Sequence, residues 1–281
     1  MLRKLMKQEF RATARLMLPL YLAVILLGVG SKFAEMVLNS ADTGGVLVGL
    51  GMPGQISGIL DVLSVIVVAG FVIALIAVFA VAFVLMILRF RNNLLGDEGY
   101  VMFTLPVSVH QLVWAKLIVS LVWFVGALVV DGVAILLVLL GDEVTISEVF
   151  RVIGTFFSQF TPLDAGHLVG YSVETILLGV VLCFCVCLEF YAAMSIGHSF
   201  ARHKGLLSVA FFFAIQTATQ ILSSLPLLAG DSLSGVIEHL SFSDAGMVHA
   251  VLIGILLANI VYAAVLYFIT TYMLKNRLNL E

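Results

Sequence analysis

Apolar residues in this chain come in six long runs separated by short polar segments. The runs cover 16–37, 59–88, 112–140, 171–196, 206–228 and 247–274, and each is long enough to cross a bilayer core, which takes roughly 20 residues of helix. The pattern predicts an all-α integral membrane protein with six transmembrane helices. Ahead of the first run, Leu2, Leu5, Met6, Glu9 and Phe10 fall near one helical face with cations on the other. That predicts a helix over 1–15 lying in the cytoplasmic interface before the chain turns inward, with a plain basic anchor as the alternative. Residues 16–274 then form one transmembrane domain, and 275–281 a cytoplasmic tail. No cleaved leader is expected, because the first run follows a basic stretch and is long enough to stay in the membrane.

Two connections carry signals of their own. Thr145-Ile146-Ser147-Glu148 has the spacing of a capping box, followed by Phe150, Ile153, Phe157 and Phe160 at helical spacing, so a short amphipathic helix is expected there. The connection with Gly44, Gly45, Gly49, Gly51, Pro53, Gly54 and Gly58 has no periodicity and reads as flexible.

Composition removes the soluble alternative. Hydrophobic residues make up 62% of the 281 positions and charged ones 11%, against roughly 45–50% and 25% in soluble domains. Charge then orients the spans. Arg3, Lys4, Lys7, Arg11, Arg15, Arg89, Arg91, Lys116, Arg202, Lys204, Lys275 and Arg277 lie before the first span or at the connections after the second, fourth and sixth. Only Lys32 and Arg151 lie at the others. Cationic segments stay in the cytoplasm, so both termini are expected inside.

Several chemistries lack their residues. There is no Gly-x-x-x-x-Gly-Lys-Ser/Thr phosphate loop, no His-Glu-x-x-His and no Gly-x-Ser-x-Gly. The chain is therefore not expected to hydrolyse ATP in the P-loop manner, to be an enzyme, or to bind a metal or nucleic acid. Its six histidines are scattered and read as interfacial polar residues. Cys183, Cys185 and Cys187 sit inside an apolar run and read as packing residues.

Ionisable groups inside spans are costly, and so mark candidate pathways. Glu189 in the fourth span and Asp131 in the third are such groups, and each could be protonated, hydrogen-bonded to a neighbouring helix, or open to a wet cavity. In the fifth span Gln216, Gln220, Ser223 and Ser224 share a face, with Thr217 beside them, and must meet protein or water. Glu189, Asp131, Gln216 and Gln220 are the candidate pathway residues. Gly70, Ala74 and Ala77 form a small-residue stripe in the second span, suited to a subunit interface or to packing within the chain.

The most informative connection runs from Arg89 to Ser108. It is polar at first, amphipathic in the middle, and closes at a proline. Its acidic pair Asp97-Glu98, then Gly99-Tyr100, then Thr104-Leu105-Pro106-Val107-Ser108 and the downstream Lys116 resemble the loop of ABC-2 type exporter permeases. The chain departs from that pattern at Val109 and His110, where many members carry a basic residue. The interfacial N-terminal helix, six spans and cytoplasmic ends also resemble that family, whose fold is the type V exporter. The resemblance implies a multi-pass protein of a bacterial cell membrane that moves an amphipathic or hydrophobic peptide, lipid or drug. It also implies a separate cytoplasmic ATPase holding ATP and Mg, and a second permease copy or related chain as partner. Asp97, Glu98, Tyr100, Phe103, Thr104 and Pro106 would be the ATPase-coupling residues. Two other readings stand beside it: an ion-coupled transporter or channel acting alone, and a membrane scaffold or immunity subunit without transport.

Overall fold

A computed structural model describes residues 2–42, 54–104, 106–140, 145, 147–148, 150–152, 154–155, 165–200, 202–228 and 244–277. Among these there is no strand. The helices are α1 (Leu2–Asp42), α2 (Gly54–Phe90), α3 (Glu98–Thr104), α4 (Val109–Leu139), α5 (Ala165–Gly197), α6 (Lys204–Leu228) and α7 (Asp244–Asn276), with a π-helical turn, Arg91–Leu95, between α2 and α3. Six are long and apolar enough to cross a membrane, over Leu2–Ala34, Val62–Leu95, Val109–Leu139, Val169–Gly197, Lys204–Ser224 and Ala245–Asn276. All six apolar runs are helices, and the chain has the make-up of a multi-pass membrane protein.

The N-terminus differs from expectation. Residues 2–15 do not form a separate helix before a turn; α1 runs unbroken for 41 residues, about 60 Å at 1.5 Å per residue. The reason lies in its buried stripe. Leu5, Glu9, Thr13, Met17, Tyr21 and Val24 recur at helical spacing and are all buried, so one face continues from the basic segment into the span. The expected amphipathicity is present, since Arg3, Lys4, Lys7, Arg11 and Arg15 are exposed. Pro19 lies inside α1 without ending it, although it deprives the Arg15 carbonyl of its helical donor.

Gly54 and Gly58, expected in a flexible connection, belong to the first turns of α2; once the apolar run propagates a helix, two glycines cost less than the bonds gained. The rest of that connection, 43–53, lies outside the described residues, as do Ile153, Phe157 and Phe160 of the expected amphipathic helix. Half of the capping box is formed: the Thr145 amide donates to Glu148 Oε2 at 3.3 Å, whereas the Glu148 amide donates to the Thr145 carbonyl at 3.0 Å and the Thr145 hydroxyl pairs instead with Ser147 Oγ at 2.8 Å.

The chain divides into two compact units. Unit 2 comprises Lys7–Leu85 and Val122–Val152. Its centre is Trp123, whose indole N–H donates to Thr13 Oγ1 at 2.7 Å and whose carbonyl accepts from the Tyr21 hydroxyl at 2.6 Å. Phe10 stacks on the same indole at 4.6 Å between ring centroids. Glycine permits the close packing here: a Cβ on Gly126 would lie 2.9 Å from Tyr21 Oη, and one on Gly28 would lie 3.3 Å from both the Ala134 carbonyl oxygen and the Phe71 ring. The stripe Gly70, Ala74, Ala77 is not the seam used within the chain. Among the described residues Ser64, Phe71, Val78, Ala82, Met86 and Phe90 are the buried ones of α2, and a Cβ on Gly70 would meet nothing within 4 Å.

Unit 1 comprises Met1–Met6, Met86–Leu121 and Ile153–Glu281, with α5 packed against α6 and α7. Tyr191 is wholly buried and stacks on Phe90 at 3.9 Å. The connection from α5 to α6 is tight: a Cβ on Gly197 would collide with Ser208, and His203 takes a left-handed φ of 57° to start α6.

Candidate functional site

Glu189 lies on α5 and is 9% exposed. Gln216 Nε2, from α6, donates to Glu189 Oε2 at 2.8 Å, and the Tyr262 hydroxyl, from α7, donates to Oε1 at 2.8 Å. Tyr262 in turn accepts from Thr219 Oγ1 at 2.9 Å. Cys185, one turn before Glu189, donates its thiol to the Asn259 carbonyl at 3.5 Å. Each of three helices thus contributes two residues about one turn apart: Cys185 and Glu189, Gln216 and Thr219, Asn259 and Tyr262. Such spacing puts both on one face, which is how three apolar helices concentrate polar groups at a single level. Of the three situations open to Glu189, hydrogen bonding to neighbouring helices is the one found. A carboxylate with a donor at each oxygen can be retained as an anion or take up a proton without leaving its place.

The other pathway candidates are not gathered there. Gln220 and Ser223 are exposed, and Ser223 and Ser224 turn their hydroxyls back to the carbonyls of Gln220 and Ile221 at 3.0 and 2.8 Å. The polar face of α6 is therefore divided, with Gln216 turned to Glu189 and Gln220 left on the surface. Asp131 belongs to unit 2, is 7% exposed, and its Oδ1 has no hydrogen-bond partner.

The connection after α2 is a second candidate site. Phe90 and, in the π turn, Leu94 and Leu95 are buried, and Lys116 Nζ donates to the Arg89 carbonyl at 3.1 Å, satisfying one of the carbonyls a helix end leaves open. Gly96 then bends the chain, with the Gly99 amide donating to its carbonyl at 2.8 Å. A Cβ on Gly96 would approach Asn92 O to 3.0 Å. Asp97, just before α3, and Glu98, its first residue, are exposed; within α3 Tyr100 and Val101 are 52% and 64% exposed, and Met102 and Phe103 are half-buried. Thr104 is not a surface ligand in this state, since its hydroxyl donates to the Val101 carbonyl at 2.8 Å. Pro106 is exposed, and Ser108 caps α4, accepting from the Gln111 amide at 3.3 Å. The motif 104–108 thus ends one helix and begins the next, and leaves the acidic pair and Tyr100 pointing outward.

Tyr262, Thr219 and Asn259 went unmarked in the sequence. Tyrosine, threonine and asparagine are common in spans, and only the packing of α5, α6 and α7 gives these three a role. The thiols are free; Cys187 and Cys185 are buried, Cys183 is half-buried, and Cys185, expected as a packing residue, also donates to Asn259. Compared with family models, with characterised proteins and with solved structures, the chain matches none of them.

Proposed function

We propose that this chain is the membrane permease subunit of an ATP-driven exporter of the ABC-2 type, with the type V arrangement, both termini in the cytoplasm, and a separate ATPase. The observation that carries the reading is α3. It is a seven-residue helix between two spans, it lies among the basic residues that mark the cytoplasmic side, and it offers two carboxylates and an aromatic ring to an outside partner. Asp97 and Glu98 can hold a partner's Lys or Arg by charge-assisted bonds, with Tyr100 as the apolar anchor beside them. Phe103 is half-buried. The exposed amide of Gln220 and hydroxyl of Ser223 support a second permease copy or a wet path along α6, because polar groups facing lipid are costly. The substrate class is a hydrophobic or amphipathic peptide, lipid or drug, moved across a bacterial cell membrane.

Asp97→Ala/Glu98→Ala, and separately Tyr100→Ala, should leave the protein assembled in the membrane but weaken capture of the ATPase at least tenfold and abolish ATP-driven transport in vesicles. Full retention of both activities in both variants defeats the reading. The Glu189 cluster favours one alternative, an ion-coupled transporter acting alone. Transport that persists without any ATPase and collapses in Glu189→Gln would decide for it.

A further inference from the structure

The six histidines read as scattered, yet two of them meet. His167, Tyr171 and Glu174 lie at i, i+4 and i+7 on α5, hence on one face. His249 comes from α7 and inserts among them. Its Nδ1 lies 2.7 Å from Glu174 Oε1, and its Nε2 lies 3.2 Å from His167 Nδ1. Tyr171 stacks on the His249 ring at 4.2 Å and donates its hydroxyl to the Ala245 carbonyl at 3.0 Å, tying the start of α7 to α5. Space for the ring depends on a missing side chain, because a Cβ on Gly170 would lie 2.8 Å from His249 Cε1.

We infer that His167 and His249 form a binding site for a divalent transition metal of the zinc class. Three features point the same way. A carboxylate on Nδ1 of His249 takes the N–H of that nitrogen and leaves Nε2 with a free lone pair, the arrangement by which a carboxylate orients and strengthens a metal-binding imidazole. That lone pair faces a second ring nitrogen at 3.2 Å, close to the roughly 3.3 Å separating two nitrogens bound about 2.0–2.1 Å from one tetrahedral ion. The ring is also held before any ion arrives, by Tyr171 on its face and the gap above Gly170. Without metal, one N–H bridges the two rings; with metal, His167 carries its proton on Nε2 and both facing nitrogens bind the ion. No three His, Cys, Asp or Glu side chains among the described residues are placed to hold an ion together. Among the described residues the ion's donors are the two ring nitrogens, with Glu174 as the outer partner and water free to fill further positions. Imidazole pairs select zinc, nickel or copper over magnesium.

The test is calorimetric titration of Zn²⁺ into the purified full chain in detergent. One Zn²⁺ should bind per chain, Mg²⁺ should not compete, and Glu174→Gln should weaken binding by about 10–100-fold. His167→Ala and His249→Ala should each weaken it more. His167 is exposed, so its variant keeps the fold even where His249→Ala does not. Zn²⁺ should also protect His167 from diethylpyrocarbonate labelling, read by mass spectrometry. Binding in His167→Ala equal to that of the unaltered protein, or labelling of His167 undiminished by saturating Zn²⁺, overturns the site.

Discussion

Glu189 in unit 1 and Asp131 in unit 2 are both carboxylates nearly withdrawn from the surface, at 9% and 7% exposure, but their surroundings differ in kind. Glu189 has a donor at each oxygen, supplied by two other helices. Asp131 has an oxygen with none, while the Tyr21 hydroxyl of the same unit is committed to the Trp123 carbonyl. An acidic residue in a span therefore has no fixed meaning. Glu189 is part of what joins α5, α6 and α7, whereas unit 2 is joined by the Trp123 contacts and by glycine-permitted packing that does not call on Asp131.

The largest expected effect comes from stripping Glu189 of its donors. Gln216→Leu with Tyr262→Phe leaves a buried carboxylate unpaired, and should cost about 2–4 kcal/mol of stability, read by thermal unfolding in detergent. An unchanged melting temperature would mean that water or lipid headgroups replace both donors, and the contrast with Asp131 would fail. The second test is the counterpart in unit 2. Asp131→Asn removes no described hydrogen bond at Oδ1, so stability should move by no more than about 0.5 kcal/mol. A larger loss would show that Asp131 is as deeply involved as Glu189.

The smallest effect separates the units by pH. All six histidines lie within the residues of unit 1, and none within those of unit 2. His198 follows α5, and burial holds its ring below the ordinary imidazole value; Lys204 and Arg91 push the same way, against a hydrogen bond with the Met194 carbonyl. The unfolded chain therefore binds this proton more readily. The stabilising contribution is complete above about pH 6.5 and declines as pH falls through that value towards the folded one. Each unit also holds one tryptophan, Trp114 in unit 1 and Trp123 in unit 2. In single-tryptophan variants, Trp114 fluorescence should report earlier unfolding at pH 5.5 than at pH 7.5, and His198→Gln should flatten that dependence. Equal pH sensitivity at Trp123 would break the distinction.

The chain by itself determined that there would be six helices long and apolar enough to span a bilayer, and nearly where they lie, because such runs can bury their apolar surface in a bilayer only where every backbone group is satisfied, as it is within a helix. It also marked Glu189, Gln216 and the acidic pair of α3, each standing out as polarity where polarity is expensive or as charge beside a proline stop. Cooperativity along α1 was not legible, since the buried stripe that carries it through residue 15 exists only once Thr13 and Phe10 have Trp123 to pack on. Nor could periodicity separate Gln216 from Gln220, which share a helix face; the position of α5 alone turns one to a carboxylate and leaves the other outside. The meeting of His167 with His249, 82 residues apart, and of Glu189 with Tyr262, 73 apart, was decided by the tertiary structure. Helical periodicity says which residues share a face, and only helix–helix packing says which faces meet.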